Sequence, residues 1–185
     1  MISQNDQNVL NFLEDFHIAT SGQVCRLFFP GKYRYCMKRL KALREEGFIR
    51  RVHSTIDNSY AYYVGKKPVQ VHHDLIRAEL FASINEHYKI ITWDNEEPVK
   101  HIRPDAVALI LDRGITFPVF VEIHLNNHFD FDKYKELVRT ADLRSIFGTN
   151  PRILICTDRE VKLPVSAIKF KLVGLDMSGL DTLLK

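Results

Sequence analysis

The stretch TSGQVCRLFFPGKYRYCMKRLKALREEGFIRR, residues 20–51, decides the fold of the N-terminal part of this chain. It opens on Thr20 and Ser21, both favourable N-cap residues, and its first apolar segment ends at a Pro-Gly pair at positions 30 and 31. A second segment, residues 33–46, ends at Gly47, a residue type that commonly terminates helices. The stretch therefore predicts two helices joined by a short turn.

The second of these helices has two different faces. Its apolar stripe recurs at four- and three-residue steps and consists of Cys36, Leu40 and Leu43. A basic stripe recurs at the same steps on another face and consists of Arg34, Lys38 and Lys41. We expect the first stripe to pack in a core and the second to face solvent or a polyanion.

Elements on both sides complete the pattern. Upstream, apolar residues at three- and four-residue steps predict a first helix at about residues 5–16. Downstream, residues 48–52 and 60–64 have the composition of two strands around a polar turn at 55–59. Three helices followed by a β-hairpin is the order of a winged helix-turn-helix, so we expect residues 1–67 to form such a domain.

Positive charge is concentrated in this region. Residues 26–51 contain nine basic and two acidic side chains, a net charge of +7, whereas residues 68–185 contain 15 basic and 17 acidic ones, a net charge of −2. A helix fits the major groove of double-stranded DNA, where Lys and Arg bind guanine edges, while neighbouring cations and tyrosine hydroxyls hold phosphates. A merely solvated basic face and a protein-binding winged helix are the alternatives. The predicted DNA-binding residues are Arg34, Tyr35, Lys38, Arg39, Lys41, Arg50 and Arg51.

The overall composition excludes several other classes. With 45% hydrophobic and 26% charged residues, the chain has enough apolar side chains for a core. It has neither a signal-peptide pattern nor an apolar run near the roughly 18 residues of a membrane span, so we expect a cytoplasmic protein without membrane contact. The three cysteines include no CxxC pair, and we expect reduced thiols rather than a disulfide or a thiolate metal site.

Residues 68–185 predict a second domain with an α/β fold. A helix at about 72–87 precedes strands at 89–93, 105–111 and 118–125, and a helix at about 131–146 precedes a strand at 152–157. Apolar runs without alternation at 107–111 and 153–155 indicate strands in the middle of a sheet that is covered on both faces.

Acidic side chains converge on this predicted sheet. Glu122 and His124 share one face of their strand, and Asp105 begins the preceding strand, so its carboxylate lies near Glu122 if the two strands pair as a hairpin. Two carboxylates supply the oxygen ligands that Mg²⁺ prefers. We therefore predict a magnesium site at Asp105 and Glu122, with Glu79 as a third ligand or a solvated glutamate. A zinc site is less favoured, since no helix would align its residues, which are Glu122, His124, His128 and Asp130.

The order helix, three strands, helix, strand, together with Pro104-Asp105 and Glu122-x-His124, resembles the restriction-endonuclease-like nuclease core. The resemblance implies that Asp105 and Glu122 bind magnesium and that a lysine two residues after the glutamate steadies the attacking water or the scissile phosphate. This chain departs from the pattern, because His124 stands at the lysine position. A relocated ammonium group would then come from Lys133 or Lys135, and the candidate catalytic residues are Asp105, Glu122, His124 and Lys133.

The whole chain more closely resembles the replication-relaxation family of plasmids, phages and integrative elements. The order and spacing of short motifs carry the match: Lys38-Arg39-Leu40, Gly47-Phe48-Ile49-Arg50-Arg51, His73-Asp74, Arg103-Pro104-Asp105-Ala106, Phe120-Val121-Glu122 and Lys133-Tyr134. The resemblance implies a DNA-binding protein that acts in the replication, relaxation or transfer of such an element, with replication or transfer proteins as partners.

Three functions are consistent with these patterns. The favoured one is a DNA-binding protein of a mobile element whose nuclease-like domain has lost catalysis and now forms a homodimer or positions DNA. The second is an active magnesium-dependent endonuclease or nickase. The third is a winged-helix transcription regulator whose C-terminal domain binds a ligand or a second subunit.

Overall fold

The structure, a computed structural model, describes residues 2–125, 129–140, 143–164 and 168–183. Its helices and two β-sheets confirm the predicted mixed α/β fold class. No helix among those residues is long and apolar enough to cross a membrane. The chain divides into a first unit, Met1–Ala82, and a second unit, Ser83–Lys185.

The first unit contains the predicted three helices and hairpin. Its elements in chain order are α1 (Gln4–Phe16), β1 (Ala19–Thr20), α2 (Ser21–Phe28), α3 (Tyr33–Glu45), β2 (Arg50–His53), β3 (Tyr60–Tyr63) and the first part of α4 (Val71–His87). The boundary between the units lies within α4, later than the predicted domain end at residue 67. The reason is that Leu75 of α4 packs in the first core with Ile18, Ala61 and Tyr63.

Local sequence signals set the helix ends. The Thr20 hydroxyl accepts a hydrogen bond from the Gln23 N–H at 3.2 Å, while the Gln23 side chain accepts one from the Thr20 N–H at 2.8 Å, so this capping box begins α2. At the end of α3, Gly47 adopts a φ of 83°. The N–H groups of Gly47 and Phe48 then donate to the carbonyls of Arg44 and Leu43. The helix therefore ends where Gly47 predicts.

A short strand directly before α2, which the sequence does not predict, extends the sheet of the hairpin. β1 pairs antiparallel with β3, with Ala19 opposite Tyr62 and Thr20 opposite Ala61. The sheet order is consequently β1-β3-β2. Two residues are too few to show the alternation by which strands are recognised, so periodicity gives no signal for β1.

Cys25 on α2 and Cys36 on α3 form a disulfide, with Cα atoms 5.7 Å apart. The prediction of reduced thiols is therefore wrong for this pair, although Cys156 is a free, buried thiol. The two cysteines are separated by 11 residues and share no local motif. Only the packing of α2 against α3 brings them together, and that packing cannot be read from cysteine spacing.

The second unit is built on a five-stranded sheet with the order β4-β5-β6-β7-β8. Its elements are the end of α4, β4 (Lys89–Asn95), β5 (Ala106–Asp112), β6 (Ile115–Ile123), α5 (Asp132–Thr140), α6 (Leu143–Phe147), β7 (Arg152–Cys156), β8 (Lys169–Val173) and a 3-10 turn (Leu180–Thr182). β5 and β7 lie inside the sheet, as their apolar runs predict. The last strand, β8, is not predicted, although lysines and apolar residues alternate in its sequence KFKLV as is typical of a half-buried strand.

Strand directions and helix packing place the candidate site. β4, β5 and β6 pair antiparallel, whereas β7 and β8 continue the sheet in parallel. α5 and α6 cover one face, where the buried cluster includes Phe120, Tyr134, Leu137, Leu143 and Ile153. Glu122 lies two residues after Phe120 on β6 and so shares the face that α5 covers.

Candidate functional site

α3 presents an exposed, basic surface in the first unit. This α3 outer surface consists of Tyr33, Arg34, Tyr35, Lys38 and Lys41, all of which are exposed. Tyr33 and Tyr35 are 60% and 50% exposed, which is high for aromatic side chains. The opposite stripe is buried as predicted and consists of Cys36, Leu40 and Leu43. Four of the predicted DNA-binding residues therefore lie on one accessible surface.

Arg39 differs from the other predicted DNA-binding residues, because it binds a buried carboxylate. Its Nε donates to Oδ1 of Asp6 at 3.0 Å and its Nη2 donates to Oδ2 at 2.6 Å. Burial alone raises the pKa of Asp6, but hydrogen bonds from Arg39 and Ser3 lower it to about 2. Arg39 thus holds α3 to α1, a structural role that the sequence does not predict, and its DNA contact stays a prediction.

The two predicted arginines of the hairpin, Arg50 and Arg51, are exposed on β2. Neighbouring residues of a strand point to opposite faces, so the two guanidinium groups leave the hairpin in different directions. Arg51 lies over the ring of Tyr60, with its Cζ 3.9 Å from the ring centroid, in a cation–π contact. The contact fixes the direction of the Arg51 side chain.

The second unit brings two predicted metal ligands together. Antiparallel pairing of β5 and β6 sets Ala106 opposite Val121. Asp105, which precedes Ala106, is therefore next to Glu122, which follows Val121 on the neighbouring strand. Oδ2 of Asp105 accepts a hydrogen bond from the Ile123 N–H at 2.6 Å, which holds this carboxylate beside β6. The hairpin pairing on which their proximity depends is confirmed.

Two consecutive residues of α5 contact the same oxygen of Glu122. Lys133 Nζ donates to Oε1 at 2.8 Å, and the Tyr134 hydroxyl donates to the same atom. α5 begins where it does because Asp130 Oδ1 accepts from the Asp132 N–H at 2.9 Å. Lys133 is one of the two predicted sources of a relocated ammonium group. Tyr134 is not among the predicted site residues, although its three-residue step to Leu137 marks the buried face of α5.

The protonation of this cluster follows from its burial. Burial raises the pKa of Glu122 and the charge of Asp105 adds to the increase, while the hydrogen bonds from Lys133 and Tyr134 oppose it. Burial also raises the pKa of Tyr134, and the charge of Glu122 raises it further. Tyr134 therefore remains a phenol at neutral pH and supplies the proton of its hydrogen bond.

The other predicted residues of this region have different contacts. The N–H of His124 donates to the Cys156 carbonyl at 2.8 Å, and its ring meets Phe129 edge-on with centroids 5.6 Å apart. Lys135, the second candidate ammonium, pairs with Asp132 at 2.8 Å. Of the zinc candidates, Asp130 caps α5 and His128 lies outside the described residues.

Glu79 belongs to the first unit and is bound by two side chains there. Arg26 Nη2 donates to its Oε1 at 2.5 Å, and Gln23 Nε2 donates to its Oε2 at 2.9 Å. Both oxygens of the Glu79 carboxylate therefore accept hydrogen bonds from protein side chains, so we no longer count Glu79 among the candidate metal ligands. In the described part of the chain, no group of three His, Cys, Asp or Glu side chains is arranged to hold a metal ion. The candidate metal ligands are thus Asp105 and Glu122.

Comparison with known proteins adds little to these observations. No family model matches the chain, and no curated protein matches it. Among solved structures, a repair endonuclease from Pyrococcus abyssi is similar, with a TM-score of 0.32 and 17% identity over 69% of this chain. The matched region spans 48% of that endonuclease, about half its length. A likeness of this extent assigns neither a fold nor an activity.

Proposed function

We propose that the first unit is a winged helix-turn-helix that binds double-stranded DNA through α3. The observation that carries this proposal is the α3 outer surface, where exposed cations and Tyr35 share the side of a helix whose other side is buried, and Tyr33 is exposed at the start of that helix. A helix with this division can enter the major groove without disturbing its own core. Arg34 and Lys38 have the donors that bind guanine edges, while Tyr33 and Tyr35 can donate hydroxyl hydrogen bonds to phosphates.

The direct test is a binding measurement on the full chain. Duplexes selected from a random pool by the wild-type protein are titrated with wild type and with the variants Arg34→Ala and Lys38→Ala. We expect each substitution to weaken binding by about 5- to 150-fold, the range for a good base or charged contact. Arg113→Ala serves as the matched control, because Arg113 is an exposed arginine of the second unit. Equal affinities for all four proteins would reject α3 as the DNA-binding element.

The resemblance to the replication-relaxation family extends the proposal to a biological role. We place the protein in the replication, relaxation or transfer of a plasmid, phage or integrative element, with a second unit that no longer cleaves DNA and instead pairs two copies or positions the duplex. The replacement of the motif lysine by His124 supports the loss of cleavage. Loss of the gene should change the copy number or transfer frequency of the element. If it changes only the transcription of neighbouring genes, the protein is a winged-helix regulator instead.

A second candidate function is metal-dependent cleavage of DNA, and one observation favours it. Lys133 Nζ lies 2.8 Å from Glu122 Oε1, so an ammonium group stands beside the candidate ligands although position 124 is histidine. The donor set fits Mg²⁺, which is commonly held by one or two carboxylates together with waters and substrate phosphates. Asp105 and Glu122 would hold it. A bound Mg²⁺ supplies charge stabilisation for a phosphate and lowers the pKa of a bound water.

In that case the residues of the chain have separate tasks. The Ile123 N–H fixes Asp105, and Lys133 and Tyr134 hold Oε1 of Glu122, so both carboxylates are oriented before substrate binds. Supercoiled plasmid incubated with Mg²⁺ or Mn²⁺ tests the activity. Nicking by wild type that disappears in Glu122→Ala would establish it. Equal nicking by both proteins would show that the cleavage arises elsewhere.

A further inference from the structure

A groove separates α3 from the hairpin within the first unit. Its volume is about 460 Å³, and it is lined by Met37, Lys38, Lys41, Arg44, Arg51 and Tyr62. Four of these six side chains are cationic and none is acidic. Arg44 and Tyr62 are not among the residues predicted from sequence to bind DNA. The groove is thus an anion-binding surface that extends beyond the α3 outer surface and shares Lys38 and Lys41 with it.

Arg51 is held in place at the hairpin side of the groove. Its guanidinium group stacks on Tyr60 at 3.9 Å and lines the groove together with Tyr62. A guanidinium that is already oriented loses less conformational freedom when it binds a ligand. Arginine also presents a planar fork of donors that matches two oxygens of a phosphate. Arg51 is therefore suited to a tetrahedral oxyanion.

Tyr62 adds a neutral donor to the groove. The residue is buried, with 3% of its surface exposed, yet it lines the groove. Burial raises the pKa of its phenol, with the charge of Arg51 opposing the increase, so the hydroxyl keeps its hydrogen at neutral pH. A protonated phenol has its O–H to donate. Tyr62 can therefore bind an oxygen of an anion already neutralised by the cations around it.

The chemistry of the groove favours a phosphodiester chain over a carboxylate ligand. Duplex DNA carries one charge about every 3.4 Å along each strand, which presents a dense row of oxyanions to a groove with four cations. Two arginines and two lysines also offer both forked and point-like contacts to phosphate oxygens. The continuity with the α3 outer surface means that a duplex seated on α3 passes its backbone along the groove.

We infer that the groove between α3 and the hairpin binds the phosphodiester backbone of duplex DNA and does so without reading its sequence. The inference rests on the proposed DNA-binding function and divides it into two parts. Arg34 and Lys38 of the α3 outer surface distinguish one base sequence from another. Arg44, Arg51 and Tyr62 provide affinity that is the same for every sequence.

The test compares two duplexes of equal length, one selected by the wild-type protein and one with its sequence scrambled. Affinity for each is measured by fluorescence anisotropy over a range of KCl concentrations. Arg44→Gln and Arg51→Gln should weaken both duplexes by the same factor, and each should reduce the slope of log affinity against log salt by about 0.9. Tyr62→Phe should weaken both duplexes several-fold but leave the slope unchanged, because it removes a donor without removing a charge.

Controls make the outcomes distinct. Lys67→Gln removes one exposed charge of the first unit outside the groove and should leave affinity and slope unchanged. Circular dichroism and urea unfolding of each variant identify any loss of fold, and the two arginines lie on different elements, so one misfolded variant leaves the other informative. Arg34→Gln should weaken the selected duplex more than the scrambled one.

Three results would overturn the inference. If Arg44→Gln and Arg51→Gln bind both duplexes like wild type, the groove is not a DNA site while the proposed function stands. If they change the preference between the duplexes, the groove reads bases. If wild-type protein selects no duplex from the random pool but binds poly-glutamate, added as a probe, an acidic protein is the partner, and both the inference and the proposed function are rejected.

Discussion

Asp6 of α1 and Arg39 of α3 form a two-point ion pair in which the carboxylate is completely buried. The pair engages the guanidinium group of one of the basic residues of α3 within the first unit. It also couples the orientation of α3 to the N-terminal helix. A buried charge that loses its partner is strongly unfavourable, so the pair has a larger influence on stability than exposed ion pairs of the same type.

The first prediction concerns the pH dependence of this pair. The pKa of Asp6 is about 2 in the folded protein against an ordinary value of 3.8, a difference worth about 2 kcal/mol of unfolding free energy. Because the folded pKa is the lower one, this stabilisation is complete above the unfolded value and is lost as pH falls through 2. Asp6→Asn should therefore be less stable than wild type by about 2 kcal/mol at neutral pH.

Urea unfolding at several pH values measures the effect. The difference between wild type and Asp6→Asn should shrink steadily as pH falls from the ordinary carboxylate range toward 2. Glu45→Gln is the control, since its partner Lys41 is exposed and the substitution should cost less than about 0.5 kcal/mol. A difference that does not vary with pH would show that Asp6 stabilises the protein through packing rather than charge.

The second prediction concerns the Cys25–Cys36 disulfide. Closing a loop of this length should stabilise the first unit by about 3 kcal/mol, mainly through the unfolded chain. Dithiothreitol or Cys36→Ser should therefore lower the urea midpoint of the first unit. Cys156→Ser should retain the response to dithiothreitol, because Cys156 is not part of the bridge. An identical wild-type midpoint with and without reductant would mean that the two thiols are not joined in solution.

The third prediction compares two lysines on α5. Lys133→Met leaves the largely buried Glu122 without the cation that donates to it, although Tyr134 still donates to the same oxygen, and should cost about 1–3 kcal/mol. Lys135→Met makes the same chemical change two residues away, where the partner Asp132 is exposed, and should cost less than about 0.5 kcal/mol. Thermal unfolding of the second unit measures both. Equal losses would contradict the proposed importance of the Lys133–Glu122 contact.

The fourth prediction concerns the end of α3. Gly47 has a φ of 83°, and a Cβ added there would meet nothing within 4 Å, so Gly47→Ala is penalised only by its backbone conformation, by about 1 kcal/mol. Gly22→Ala has the opposite expectation, because Gly22 lies in α2 and its added Cβ would make an ordinary 3.6 Å contact with Thr20. Urea unfolding should show Gly47→Ala destabilised and Gly22→Ala unchanged or more stable. Equal effects would exclude the left-handed conformation at Gly47.

Local signals account for most of what could be predicted. Thr20 and Gly47 act on backbone groups within five residues of themselves, so the bounds of α2 and α3 follow from sequence. The apolar runs of β5 and β7 are also local signals, because a strand that is covered on both faces needs apolar side chains on both. Glu122 is found because alternation along β6 shows which residues share one face of the strand. Lys133 is found because a helix is predicted directly after that strand.

Long-range packing accounts for what could not be predicted. The partner of Arg39 is 33 residues away, and only the docking of α1 on α3 reveals that the arginine is held in an ion pair. The same holds for Cys25 with Cys36 and for Glu79 with Arg26. Tyr134 lies on the apolar stripe of α5, so the periodicity of the sequence predicts that it is buried. Periodicity does not reveal that its hydroxyl group donates a hydrogen bond to Glu122.

The two-sided construction of α3 has a consequence for how this protein changes over time. Its buried stripe and its disulfide hold the helix in place, while Arg34, Tyr35 and Lys38 are exposed on its other side. Substitutions at these outward positions cost little stability, since exposed positions away from caps and cores tolerate most side chains. Under the proposed function, target preference can therefore drift or be redesigned by exchanging surface side chains of α3, and the scaffold that displays them stays the same.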